Sequence, residues 1–167
     1  MMSNRRKSGF SLVELVIVVV IIGIVAAIAV PRISRGAKGA NDTSVRGTLA
    51  GLRNAIDMFA AEHGGLFPGA DNLEATFLAQ LTKKTDGAGV VGTTAGVHIF
   101  GPYLRSGVPP LLVGPNKTTA KKVSLLATGP VVAEASTDVA WVYNSVTGDI
   151  IANTDDTDES GIAYDKY

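Results

Sequence analysis

Residues 10–30 read FSLVELVIVVVIIGIVAAIAV, an almost wholly apolar run interrupted by a single acid, Glu14. The run is about as long as a helix must be to cross the hydrocarbon of a bilayer. Arg5, Arg6 and Lys7 precede it with no acid among them, which holds that end on the cytoplasmic side and leaves everything after Pro31 outside. Two ordinary readings compete: a secretory signal peptide, with residues 27–29 (AIA) imitating a small-residue cleavage site, and a plain membrane anchor. Glu14 argues against both. A carboxylate in such a run costs on the order of 2–3 kcal/mol toward the helix centre and less near the interface, and neither a disposable signal nor an anchor gains anything from it.

Outward from this segment, 167 residues fit one globular head plus an appendage. Lys and Arg match Asp and Glu at 15 each, and loss of the three leader cations leaves 12 bases against 15 acids, a net charge of about −3. That balance argues against a nucleic-acid binder, which needs a basic stripe to displace counterions from phosphates. With no cysteine there is no disulfide, thiolate metal site or cysteine nucleophile. His63 and His98 stand apart, so a histidine-rich metal site is excluded too.

Residues 7–15, KSGFSLVEL, resemble the processing motif of type IV prepilins and type II secretion pseudopilins, and the resemblance extends over about the first 35 residues, Pro31 included. It implies a membrane aspartyl peptidase that cuts between Gly9 and Phe10 and methylates the new amine of Phe10. It implies as partners that prepilin peptidase/methyltransferase, an inner-membrane assembly platform, minor pseudopilins, and further copies of the chain in a helical filament. The implied location is the bacterial inner membrane, crossed once with the head outside the cytoplasm, and then a periplasmic pseudopilus or an extracellular pilus. The role implied is structural rather than enzymatic.

The residues themselves support this chemistry. Gly9 presents no side chain to a protease gripping extended backbone, and its flexibility keeps helix from spreading into the leader. Cleavage strips three positive charges that oppose lifting this end away from the cytoplasmic leaflet. It leaves an amine on Phe10 and a carboxylate on Glu14 among apolar side chains, where an ion needs a partner. That partner lies either one helical turn away in the same subunit or on a neighbour; the resemblance assigns it to the neighbour and makes Glu14 the residue that sets axial register. Pro31 lacks an amide hydrogen and crowds the carbonyl of Ala27, so the helix is expected to kink or open there. The resemblance adds that residues 23–31 lose helix on assembly, while a static bend is the simpler alternative.

Four segments follow: a leader at 1–9, a transmembrane and assembly helix at 10–31, the amphipathic half of the same helix at 32–63, and a globular head at 64–167. Val45, Leu49, Leu52, Ile56 and Phe59 recur at helical spacing and form a stripe toward the head. Asp42, Arg46, Arg53, Asp57 and Glu62 mark the opposite, solvated or subunit-facing side. His63, Gly64 and Gly65 end the helix. Residues 75–81 read as a short helix in a long loop, and residues 123–126, 140–144 and 149–153 as strands, the last two joined by a hairpin connection at residues 145–148. The expected fold is α+β, a pilin-like long helix packed on a small antiparallel sheet. Residues 101–104 (GPYL), 108–110 (VPP), 141–144 (WVYN) and 147–150 (TGDI) resemble major pseudopilins. The missing cysteine leans the same way, since many surface pilins close a C-terminal loop with a disulfide.

The acidic tail holds one candidate metal site, Asp156, Asp158 and Ser160 before Gly161, with hard oxygens at alternate positions that suit calcium. The resemblance also implies a calcium near the C-terminus; a solvated tail is the alternative, and no other cofactor is required. An EF-hand is excluded, because its bidentate glutamate falls at Tyr167. No nucleophile elbow or phosphate loop is present. His63, at a helix end, and His98, in an expected strand, read as structural, and Trp141 and Tyr143 as core. The function expected is a structural subunit of a type IV pilus-like filament: the major pseudopilin of a type II secretion system, or the pilin of a surface pilus for adhesion, motility or DNA uptake. A membrane-anchored periplasmic binding domain that never polymerises is the rival of a different class.

Overall fold

The computed structural model describes residues 9–114, 122–134 and 138–167, with residues 31, 34 and 35 described by backbone alone. Arg5, Arg6 and Lys7 of the expected leader, and the ring of Pro31, therefore lie outside the described residues. The chain divides into two compact units, Met1–Lys38 and Gly39–Tyr167.

Helix α1 covers Leu12–Glu62. In the first unit its segment Leu12–Val30 has a mean hydropathy of 3.2 and buries nothing within the chain. Nineteen helical residues rise about 28 Å, close to the roughly 30 Å of a bilayer's hydrocarbon. Because these apolar side chains are exposed on every side, their burial must come from lipid or from other helices. The helix assignment runs unbroken through residue 31, so of the kink or opening expected at Pro31 the opening is absent. Proline removes one amide donor, and the rungs on either side keep the segment helical.

In the second unit the expected stripe is the core. Val45, Leu49, Leu52, Ile56 and Phe59 are all 2% exposed or less, and they join Phe77, Leu81, Leu111, Trp141, Tyr143 and Tyr164 in one cluster. Gly64 and Gly65 take positive φ, and the Gly65 amide closes back on the Ala60 carbonyl at 2.8 Å, a left-handed helix stop that a side chain would strain. Helix α2, Glu74–Thr82, adds Phe77 and Leu81 to the core. Asp71 holds its start, accepting the Leu73 amide at 3.1 Å and the Thr76 hydroxyl at 2.7 Å.

Strands β1 (Val123–Leu126), β2 (Trp141–Asn144) and β3 (Ile150–Ala152) form one sheet in the order β1-β2-β3. The α+β, pilin-like class holds, with a correction to the sheet. β2 and β3 are antiparallel, with Tyr143 opposite Ile150, but β1 lies parallel to β2, with Val123 opposite Trp141. A tight turn forces antiparallel pairing, whereas residues 127–140 are long enough to return the chain to the start of the sheet. In the hairpin, the Asn144 side-chain oxygen accepts the amides of Val146 and Thr147 at 2.8 and 3.0 Å. His98 also departs from expectation: it follows a turn at residues 95–97 rather than lying in a strand, and its Nδ1 accepts the Thr94 amide at 3.1 Å.

Candidate processing and assembly site

Gly9, Phe10 and Ser11 precede the helix and are exposed. Helix begins only at Leu12, because Ser11 occupies the cap position in every respect. Its carbonyl accepts the first intrahelical bond, from the Leu15 amide at 3.2 Å. Its hydroxyl accepts the Val13 amide at 3.3 Å, and its own amide donates to the Glu14 carboxylate at 3.0 Å. The bond from the Ser11 amide to Glu14 is the carboxylate half of a capping box, S-x-x-E ahead of an apolar run, while the hydroxyl caps the second helical amide. Glu14 is thus bonded within the chain, to the Ser11 amide. The pattern Ser11-x-x-Glu14 was present to be read; considering Glu14 only as a charge in an apolar run hid it.

Around Gly9 the fold itself asks for nothing small. A methyl group built there meets no described atom within 4 Å, and no positive φ is involved. A requirement for glycine at this position would therefore come from whatever reads the segment rather than from the chain's own packing.

At the other candidate site the acidic tail folds back onto α1. The Asp158 side chain is 2% exposed and accepts four bonds: Ser160 and Ile162 amides at 2.8 and 2.9 Å, and Arg46 and the Tyr167 hydroxyl, each at 2.8 Å. The Ile162 amide leads these donors in holding the carboxyl below its ordinary range, with Tyr167, Ser160 and Arg46 adding to it against the opposing effect of burial. Arg46 also lies over the Tyr167 ring, 4.4 Å from its centre. Asp42 accepts the Glu159 amide at 3.1 Å and the Tyr164 hydroxyl, Arg53 donates to the carbonyls of Ile150 and Tyr167 at 3.1 and 2.6 Å, and Glu62 accepts the Tyr103 hydroxyl.

Two readings change with this arrangement. The polar side of α1 is a dock for the head: four of its five charged residues bond to it, and Asp57 is exposed with no partner among the described residues. Local spacing could not show this, because Arg46 and Asp158 are 112 residues apart. The residues of the calcium candidate also do not fit that ion. Asp158 already holds a cation, Arg46, and has given its remaining lone pairs to protein donors, while the Asp156 and Ser160 side chains stay exposed. No group of three or more carboxylates or histidines gathers among the described residues.

His63 is buried and structural, as expected. Its Nδ1 lies 2.7 Å from the Phe59 carbonyl and must donate to it, its Nε2 lies 3.0 Å from the Thr85 hydroxyl, and its ring stacks on Phe59 at 3.9 Å. Trp141 and Tyr143 are fully buried, with their polar ends donating to the carbonyls of Pro109 and Pro68.

Compared with protein families, residues 4–30 match the family described as prokaryotic N-terminal methylation motif. No curated protein and no solved structure matched the chain. The matched segment contains the Gly9-Phe10 peptide, the Ser11–Glu14 cap and the whole membrane-length helix. The chain thus carries the prokaryotic N-terminal methylation motif over residues 4–30.

Proposed function

We propose that this chain is the precursor of a filament subunit, cut between Gly9 and Phe10, methylated on Phe10 and polymerised through residues 10–30 with its heads outward. The observation that carries the proposal is the placement of the methylation motif on a helix whose apolar surface the chain leaves uncovered. About twenty apolar residues leaving lipid need an equally apolar environment, and a bundle of identical helices supplies one. In that bundle the new amine of Phe10 on one subunit pairs with Glu14 of another, since a buried charge without a partner is costly. The leader cations support insertion with the head outside the cytoplasm.

The filament favoured is the short periplasmic pseudopilus of a type II secretion system, with this chain its major subunit. The absence of cysteine supports that choice over a surface pilus, as do residues 101–104 and the hairpin formed around residues 145–149. The head closes without calcium in this reading, Arg46 serving as the internal cation. Glu14→Gln tests the assembly role, because glutamine keeps an acceptor for the Ser11 amide while removing the charge. Mature protein is expected to accumulate in cells carrying the peptidase, with filament yield by electron microscopy reduced at least tenfold. Unchanged filament yield would refute the pairing. In a deletion strain, retention of folded exoproteins in the periplasm supports the pseudopilus; loss of surface fibres with secretion intact overturns it in favour of a pilus.

A further inference from the structure

An α-helix that begins at Leu12 could grow backward only by using particular donors. To wind over the scissile bond it needs the Val13 amide on the Gly9 carbonyl, and to continue into the leader it needs the Ser11 amide on the Lys7 carbonyl, each four residues back. Both donors are already taken. The Val13 amide goes to the Ser11 hydroxyl and the Ser11 amide to the Glu14 carboxylate. Gly9 and Phe10 remain outside the helix and exposed, one residue before the cap. Where the chain enters an apolar phase, water cannot replace such acceptors and the preference for the side-chain oxygens is reinforced.

We infer that Ser11 is a positioning residue for leader cleavage. Acting with Glu14, it fixes the start of the helix and keeps the Gly9-Phe10 peptide out of it. This rests on the processing reading above. In the cleavage, water gives its hydroxyl to the Gly9 carbonyl carbon and a proton to the Phe10 nitrogen as the C–N bond breaks. A Gly9 carbonyl wound into a helix would be bonded to Val13 and shielded by the following turn. Ser11 touches neither the attacking water nor the scissile atoms; it acts through the backbone. Glu14 consequently serves twice, as half of the cap before cleavage and as the charge partner after it.

The test is the initial rate of leader release from the full-length precursor, reconstituted in phospholipid vesicles with a prepilin peptidase. Cleavage of the unaltered chain checks the processing reading itself, and no cleavage at all would overturn that reading rather than the role of Ser11. Ser11→Ala is expected to slow release about fivefold, the factor carried by a typical helix cap. Ser11→Asn, which restores a good cap with a different side chain, is expected to recover most of the rate. Glu14→Ala is expected to slow release as well, and the double variant Ser11→Ala/Glu14→Ala to be slower than either single one, since each removes a different one of the two bonds. Release from Ser11→Ala at the unaltered rate would overturn the inference. So would a failure of Ser11→Asn to rescue the rate, which would mean that the peptidase reads serine directly.

Discussion

Replacing Leu49 by alanine removes part of the stripe through which α1 enters the head's core. Leu49 is 1% exposed and belongs to the cluster containing Leu52, Ile56, Trp141 and Tyr143. A buried Leu→Ala change costs about 2–5 kcal/mol, the lost transfer energy plus a cavity that neighbours only partly fill. The rigid helix limits that collapse, so a loss of about 3 kcal/mol is expected. For a unit of this size a urea slope of about 1.5 kcal/mol per M moves the midpoint down by about 2 M. Trp141 provides the assay, being the only tryptophan and fully buried. Its emission shifts to the red when the head unfolds in detergent-solubilised mature protein. Asp57→Ala is the control on the same helix, exposed and without a partner among the described residues, and should change stability by less than about 0.5 kcal/mol. Equal midpoints for Leu49→Ala and Asp57→Ala would refute the assignment of this stripe as the core.

Acid should weaken the head through Asp158. Its folded carboxyl titrates below the ordinary value, chiefly because the Ile162 amide donates to it. The stability it contributes is complete above about pH 4, the unfolded aspartate value, and is lost as pH falls from there through the folded value. Asp71, held down first by the Thr76 hydroxyl, and Asp86, held down first by the Val90 amide, act in the same direction. Urea midpoints should therefore be flat above pH 5 and fall below pH 4, and Asp158→Asn should lower the neutral midpoint and flatten part of the acid limb. Calcium or EDTA should leave the thermal midpoint of the head unchanged, whereas an ion held at 100 times its dissociation constant would stabilise it by about 2.7 kcal/mol. Gly148→Ala should destabilise by about 1–3 kcal/mol in the same urea assay, since its φ is +79° and a methyl group there runs into the Phe67 ring.

What was legible in the sequence was whatever repeats within a few residues. Spacings of four and three gave the buried stripe from Val45 to Phe59, paired glycines gave the stop at Gly64, and the short connection between two apolar segments gave the β2–β3 hairpin. Pairing across long separations left no local trace. Nothing near Val123 tells that β1 runs parallel to Trp141, and nothing near Arg46 tells that Asp158 will lie against it. Those contacts exist because the C-terminal segment returns to α1 after the sheet is built, so the solvated-looking face became a dock and the calcium-like loop received a guanidinium. At the N-terminus the distances were short, and the cap could be read from residues 11–14. There the structure added the bond from the Ser11 amide to the Glu14 carboxylate.

The most direct measurement is the intact mass of the mature protein purified from membranes of cells that carry the peptidase. A chain beginning at Phe10 and heavier by one methyl group is the result expected. A chain that retains residues 1–9, or one that begins near Val30 as after a signal-peptide cut, would contradict the proposed processing and the filament reading built on it.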